Sequence, residues 1–485
     1  MRLKSHEVPN CFDEVADLFM HKDDGSLQNH VFINMDKLYA YYNWSNTIKE
    51  QLQDEMNEYL FEVTGTYQYL NPASPKQMVR ALTELLGIPY EQLANRQGRI
   101  STSVKTIENL KSEYKSVFTS LYLDYKKEHS VTTNLKPFLA YDDPSRSYTN
   151  NEGNRIVAIP VYYDPSDTVR FQANNPPMQN ITREMTDIIS APKDWVVLQV
   201  DSKQIEPTLY HTHVVRDPLI DFLIGEYGDV YYAVADYCMR DSISSSPDNM
   251  YAIGSISKED RNAFKTLLNA SSYGAGKSTI TAKAKEIIFD RIERNDPKGK
   301  ELLRKMPKLK KSLSNPRLPQ IIRNRYEKEL IEAEAKMAEV KQDVTNLVEG
   351  FTERVINHPH RKAFLENEKV QIKQGKRVFE SLFGDKRAAS GDFNYLLNCS
   401  INNPLQISVS RLSAYSVKLA RDFIRDNGIE KLAFYSLCKH DEDVYVAHKS
   451  VAEIAMDYFK DLREYHIDDW HPIYSDSNMG LNYTK

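Results

Sequence analysis

No stretch of the chain approaches the ~20 apolar residues needed to cross a bilayer, which excludes a membrane-spanning protein. The N-terminus, MRLKSHEVPNCFDEVADLF, lacks an apolar h-region, so a secretory signal is not expected. Cysteine is scarce. The four present (Cys11, Cys238, Cys399, Cys438) lie far apart with no C-x-x-C pair, so they read as free thiols in a reducing, cytoplasmic setting and provide no zinc knuckle. An overall excess of positive charge is missing too. With a net charge of −5, a nucleic-acid binder of this composition has to concentrate its cations locally. Internal repeats and low-complexity tracts are not evident.

What is present is globular. The 485 residues are 41% hydrophobic and 27% charged, a soluble balance with core enough for about three domains. Apolar spacing over Val31–Leu60 predicts a strand or short helix followed by an amphipathic helix. Ser74 and Pro75 form a helix start, Ser74 capping and Pro75 in the first helical position. Helical periodicity continues over Gln77–Leu86 and again over Val104–Glu128. Tyr141–Asn180 is rich in Pro, Asn, Asp, Ser and Tyr, with short β-like runs such as Ile156–Tyr163. Trp195–Val200 (WVVLQV) reads as a buried strand that stops abruptly at Asp201.

Residues 259–290 read as one long helix opened by Glu259 and Asp260. Between Lys283 and Glu329 stand 15 Lys/Arg against 7 Asp/Glu. A solvated charged helical hairpin and a phosphate-facing surface are both open readings there. The last 85 residues predict a helix over Ser408–Asn427 and two β runs, Lys431–Lys439 and Asp443–His448, around a polar tip.

Two apparent motifs carry little. Gly274-Ala-Gly-Lys-Ser-Thr279 resembles a phosphate loop, but the glycine required five residues before Gly276 is Ser271, and the segment sits in or after a helix. His211-Thr-His213 and His358-Pro-His360 have no third ligand at a recognisable spacing.

A set of segments makes sense together. Asp201-Ser-Lys-Gln-Ile-Glu206 places a carboxylate just off the end of an apolar strand, rigid yet reachable. His440-Asp441-Glu442 forms a tip between two β runs that projects carboxylates. Carboxylates on neighbouring strands can hold two magnesium ions for in-line displacement at phosphorus. The third piece is Arg261-x-x-x-Lys265-x-x-x-Asn269-x-x-x-Tyr273-Gly274. Successive members drift by only about 40° on a helix and share one broad face. Arg and Lys suit a triphosphate, and Tyr a stacked base.

With these residues the chain resembles the polymerase domain of family-A DNA polymerases, the bacterial DNA polymerase I type. Asp201-x-x-Gln204-Ile205-Glu206 is similar to the family's first palm motif, Arg261, Lys265 and Tyr273-Gly274 to its fingers helix, and His440-Asp441-Glu442 to its third motif. Ser74-Pro-Lys-Gln77 and Ser101-Thr-Ser103 resemble the ends of its thumb. Thr168-Val-Arg170 with Gln179-Asn180-Ile181 resembles a primer-contacting segment, and Asn402-Asn-Pro-Leu-Gln406 the start of a template-contacting helix.

The resemblance implies an α+β right-hand polymerase fold, a palm with an antiparallel sheet and helical fingers and thumb. After an N-terminal segment (1–44), the thumb would span 45–140, the palm 141–215 and 400–485, and the fingers 216–399, with a basic helical insertion at about 283–329. It implies a DNA-directed DNA polymerase that extends a primer 3′-hydroxyl on primer–template DNA with dNTPs. Two Mg2+ ions would be held by Asp201 and Asp441, with Glu442 beside them. Arg261 and Lys265 would grip the triphosphate, and Lys265 would protonate the leaving pyrophosphate. Tyr273 would stack near the nascent pair, with Gln204 among the nucleotide contacts and Glu206 as the steric gate against a ribose 2′-hydroxyl. Arg170, Gln179, Asn180, Asn402, Gln406 and His440 would contact DNA, in the minor groove for Arg170, Gln406 and His440.

Some positions depart from the family pattern. Asn269 stands where an aromatic residue is usual, and Tyr231 where a histidine is usual. Pro207-Thr208 replaces the arginine expected after Glu206. Only about 70 residues precede the thumb-like segment, too few for a proofreading exonuclease domain. Proofreading would then fall to a separate exonuclease or other replisome protein, and the composition suggests a phage enzyme in a bacterial host. A single-subunit RNA polymerase-like enzyme and a catalytically silent DNA-binding replisome component are the alternatives.

Overall fold

The computed structural model describes residues 2–3, 8, 11, 30–94, 98–110, 114–165, 171–240, 253–272, 277–314, 318–439, 442–467 and 472–484. Strand β1 (His30–Asn34) runs straight into α1 (Met35–Thr64). The Asn34 side chain accepts from the Lys37 amide, and the helix stops at Gly65, whose φ of 68° suits a residue without Cβ. Helix α2 (Pro75–Arg80) starts as its sequence predicts, Ser74 accepting from the Gln77 amide with Pro75 just inside.

The periodic segment at 104–128 is not one helix. It divides into α3 (Val104–Glu108) and α4 (Val117–Leu139), because Ser103 caps the first and Ser116 opens a second, closing a capping box with Thr119. Helices α1 and α4 pack along each other, and Ser45 donates to the buried Glu128 carboxylate across them at 2.7 Å. Met56, Leu60, Met78, Leu82, Phe118 and Tyr122 form the core of this unit.

Strands β2 (Ser147–Thr149) and β3 (Arg155–Pro160) join β1 in a small antiparallel sheet, followed by the hairpin β4 (Tyr162–Pro165) and β5 (Phe171–Asn175). Next comes β6 (Trp195–Ser202), buried on both faces along most of its length, as its unbroken apolar run predicts.

Helices α5 (Ile205–Tyr210), α6 (Pro218–Tyr227) and α7 (Val230–Met239) come next. The expected long helix at 259–290 is two, α8 (Lys258–Ser272) and α9 (Lys277–Asn295). They fold back on each other, since Asp260 meets Arg291 at 3.1 Å and Glu259 meets Asn295 at 2.9 Å. Gly274 and Gly276 interrupt the helical pattern in the sequence between them. Helices α10 (Pro297–Leu313) and α11 (Gln320–Phe351) form a second hairpin packed on α9, and α12 (Pro359–Lys373) follows.

After the small hairpin β7 (Val378–Glu380) and β8 (Lys386–Ala388), helix α13 runs without interruption from Phe393 to Asp426. Asn402 and Gln406 therefore lie in its interior and not at a helix start, because Asp392 supplies the cap and Pro404 is accommodated inside the helix. Strands β9 (Ala433–Lys439) and β10 (Glu442–His448), helix α14 (Ala452–Leu462) and strand β11 (Ser475–Gly480) complete the chain.

The four-stranded antiparallel sheet has the order β9-β10-β6-β11. Its core combines Val197, Leu198 and Val200 with Leu437, Val444, Val446 and Phe459. A separate core joins α5–α9, α11 and α13 through Leu209, Leu223, Val234, Phe264, Leu268, Phe351 and Leu405. All four cysteines are buried free thiols. Among the described residues no helix is long and apolar enough to cross a membrane.

Candidate active site

Strand register places Asp201 directly opposite Glu442 on one side and Asp476 on the other. Partners across an antiparallel pair project to the same face, so three acidic positions share one row at the end of the sheet. Glu442 is buried; Oε1 accepts from Gln199 Nε2 at 3.0 Å and Oε2 from the Tyr483 hydroxyl at 2.6 Å. Burial, and then the Glu442 charge, push the Tyr483 phenol far above its ordinary value, so it remains a donor. The buried Lys439 ammonium donates to the Ile181 carbonyl at 3.0 Å and lies 5.3 Å from the Tyr483 ring centre.

Asp476 is paired with Lys203 at 2.7 Å. Asp443, next to Glu442 in sequence, is fully buried and accepts from Arg463 Nε at 2.8 Å, and Arg463 Nη1 donates to Ser413 at 2.9 Å. This ion pair anchors the start of β10.

Beyond Ser202 the backbone bends sharply. Gln204 sits at φ 53°, ψ 32°, a left-handed conformation uncommon for a non-glycine residue and found preferentially at functional sites. Its side chain is held at both ends. Oε1 accepts from the Val230 amide at 2.8 Å and Nε2 donates to Asp229 Oδ2 at 2.6 Å.

Asp229 is the junction of the site. It caps α7, Oδ1 accepting from the Tyr231 and Tyr232 amides at 2.9 and 3.1 Å. Its Oδ2 also receives Arg261 Nε at 2.9 Å and Nη2 at 2.6 Å. The Arg261 guanidinium lies 5.2 and 5.5 Å from the ring centres of Tyr231 and Tyr232, within cation–π range. One turn along α8, Lys265 Nζ is 5.6 Å from the Tyr231 ring centre. One turn further, Asn269 Oδ1 accepts from the Tyr231 hydroxyl at 3.3 Å. Burial pushes the Tyr231 phenol up to about 12, with Glu206 among the neighbours that raise it.

Thus Gln204, Glu206, Tyr231, Arg261, Lys265 and Asn269, far apart in sequence, come together beside the end of the strand that carries Asp201. Asn402 and Gln406 lie one turn apart on α13, which packs on the helix bearing Glu206. Gln179 and Asn180 sit in a single turn, Met178–Asn180, where Asn134 of α4 donates to the Asn180 carbonyl at 3.3 Å. Arg170, Tyr273, His440 and Asp441 lie outside the described residues. Among those described, no group of three or more His, Cys, Asp or Glu side chains could hold a metal ion.

Sequence reading missed Asp229, Gln199, Lys439 and Tyr483. Gly228-Asp229 ahead of an apolar run is legible as a helix start, but its ion pair to a second helix is not. Gln199 and Tyr483 have no local signal at all, since each acts on Glu442 through tertiary contact.

A sequence profile of DNA polymerase family A matches residues 42–359. Among solved structures, the POL domain of Pol1 from M. smegmatis, in complex with DNA primer-template and dNTP, aligns with a TM-score of 0.63. The two are 15% identical, and the alignment covers 94% of this chain and 68% of that one, a likeness of fold. No curated protein matches the sequence.

Proposed function

The chain belongs to DNA polymerase family A, and on that premise we propose that it extends a primer 3′-hydroxyl along a DNA template with dNTPs, releasing pyrophosphate. The observation that carries the reading is the convergence of Arg261, Lys265 and Gln204 on Asp229 and Tyr231, beside the strand end at Asp201. Two cations and a ring are thereby gathered on helices that follow the Asp201 strand, which suits a triphosphate and its sugar.

In this reading Arg261 binds the triphosphate and Lys265 donates a proton to the departing pyrophosphate. Glu206 fills the space a 2′-hydroxyl would need, and Tyr231, held by Asn269, contacts the sugar or a phosphate. Tyr273 stacks near the new base pair. Asp201 and Asp441 would hold Mg2+, the hard oxygen donors such an ion prefers; Asp441 immediately precedes Glu442, the cross-strand partner of Asp201. Glu442 would add an oxygen lone pair beyond those already accepting hydrogen bonds. Bound there, two such ions activate the attacking oxygen and neutralise the leaving one. Arg170, Gln179, Asn180, Asn402, Gln406 and His440 are the proposed contacts to primer and template.

The proposed division is thumb (45–140), palm (141–215 and 400–485) and fingers (216–399); the core of Met56, Leu82, Phe118 and Tyr122 lies within the proposed thumb, whereas another core joins Leu209 and Leu405 of the proposed palm to Leu223 and Phe264 of the proposed fingers. A primer-extension gel with dNTPs in one lane and rNTPs in another tests the proposal. Extension with dNTPs is expected. Its absence with both, or a preference for rNTPs, would overturn it.

A further inference from the structure

Helix α10 carries seven Lys/Arg residues and one Glu between 297 and 313. Arg304, Lys308 and Lys311 fall within about 60° of one another around the helix axis. All three are exposed, and the opposite face carries the partly or fully buried Leu302, Met306, Leu309 and Leu313. Several nearby cations are already paired. Lys305 pairs with Glu301 at 2.5 Å, Lys310 with Glu334 at 2.9 Å, Lys336 with Asp296 at 2.9 Å and Arg291 with Asp260 at 3.1 Å. No ion pair among the described residues involves Arg304, Lys308 or Lys311.

Like charges three and four residues apart on a helix repel, so Lys308 is disfavoured beside both Arg304 and Lys311. The helix dipole offsets this only in the last turn, so it accounts for Lys311 and not for Arg304 or Lys308. A polyanion laid along the stripe relieves the repulsion. From Arg304 to Lys311 the helix rises about 10 Å, roughly the rise of three nucleotides at ~3.4 Å per phosphate. Helix α10 belongs to the same helical body as the nucleotide-site helix, since α9 packs on α8 and α11 packs on both α9 and α10.

We propose that Arg304, Lys308 and Lys311 form a phosphate-binding stripe for the DNA backbone, an inference that rests on the polymerase reading above. The test is a DNA-binding titration at several salt concentrations. It compares the wild-type chain, an R304Q/K308Q/K311Q variant and, as a control, a K305Q/K310Q variant of cations already paired within the protein. Three primer–templates are used: one blunt, one with a long single-stranded template overhang, and one with that overhang annealed to a complement.

The stripe variant is expected to lose about 2 from the log–log salt slope if single strand is bound, or close to 3 if duplex is bound. The substrate on which the loss appears identifies which. The control should keep the wild-type slope. A stripe variant with the wild-type slope on all three substrates, or a control that loses as much, overturns the proposal. Wild-type primer extension alongside keeps the two readings apart: extension with an unchanged slope sinks the stripe alone, whereas no extension sinks the polymerase reading.

Discussion

Arg261 meets Asp229 through two nitrogens, Nε at 2.9 Å and Nη2 at 2.6 Å, on a single carboxylate oxygen. That oxygen also takes the Gln204 amide, and the other oxygen caps α7. One aspartate thus fixes the guanidinium of α8, the strained residue after the Asp201 strand and the start of the helix bearing Tyr231.

Asp229→Asn should therefore weaken nucleotide use without touching the carboxylates proposed to hold metal. We predict that kcat/KM for dNTP falls about 10- to 100-fold, at ~1.4 kcal/mol per tenfold. The loss should be strongly non-additive with Arg261→Ala in a double-mutant cycle. Simple additivity would mean that the ion pair plays no part in orienting Arg261.

Asp201→Ala and Asp441→Ala should each abolish incorporation while primer–template affinity stays within a few-fold of wild type. Both carboxylates are proposed metal ligands, whereas most DNA affinity comes from phosphate contacts elsewhere. Near-normal single-turnover extension by either variant at saturating Mg2+ would exclude the assignment.

Glu206→Ala should admit ribonucleotides more readily. Glu206 lies near enough to Tyr231 to raise its phenol, so removing the carboxylate opens space on the sugar side of the site. The dNTP/rNTP ratio of kcat/KM measures the effect. An unchanged ratio would move the sugar gate to Tyr231, and Tyr231→Phe would then be the variant to measure.

A pH effect is expected where α1, α4 and the small sheet meet. The Arg155 guanidinium, bonded to Asp142, holds that carboxyl below its ordinary value, with the Tyr39 hydroxyl adding a hydrogen bond at 2.8 Å. A depressed folded-state value gives stability that is present above the unfolded value of about 3.9 and lost as pH falls through the folded one. Asp142→Asn should cost at most about 1 kcal/mol at pH 7, because the pair is partly exposed. The gap between variant and wild type in urea unfolding should close toward pH 3. A gap that persists at acid pH would show that the carboxylate charge is not its source.

Part of the candidate site's arrangement was legible from residue order alone. The apolar run ending at Asp201, the Arg261/Lys265/Asn269 spacing and the tip before Glu442 are local patterns, and local patterns survive in a sequence because strand and helix periods are short. The helix start at Ser74 was equally open to reading, since caps and prolines act on their immediate neighbours. The uninterrupted helix through Pro404 was not, because packing of that helix on its neighbours decided it against local preference. The same holds for Asp229 on Arg261 and for Gln199 and Tyr483 on Glu442. Sequence determined which residues could carry charge, metal and nucleotide. Tertiary structure alone decided which of those charges meet, since an ion pair or a buried carboxylate depends on contacts a few ångströms long between segments up to hundreds of residues apart.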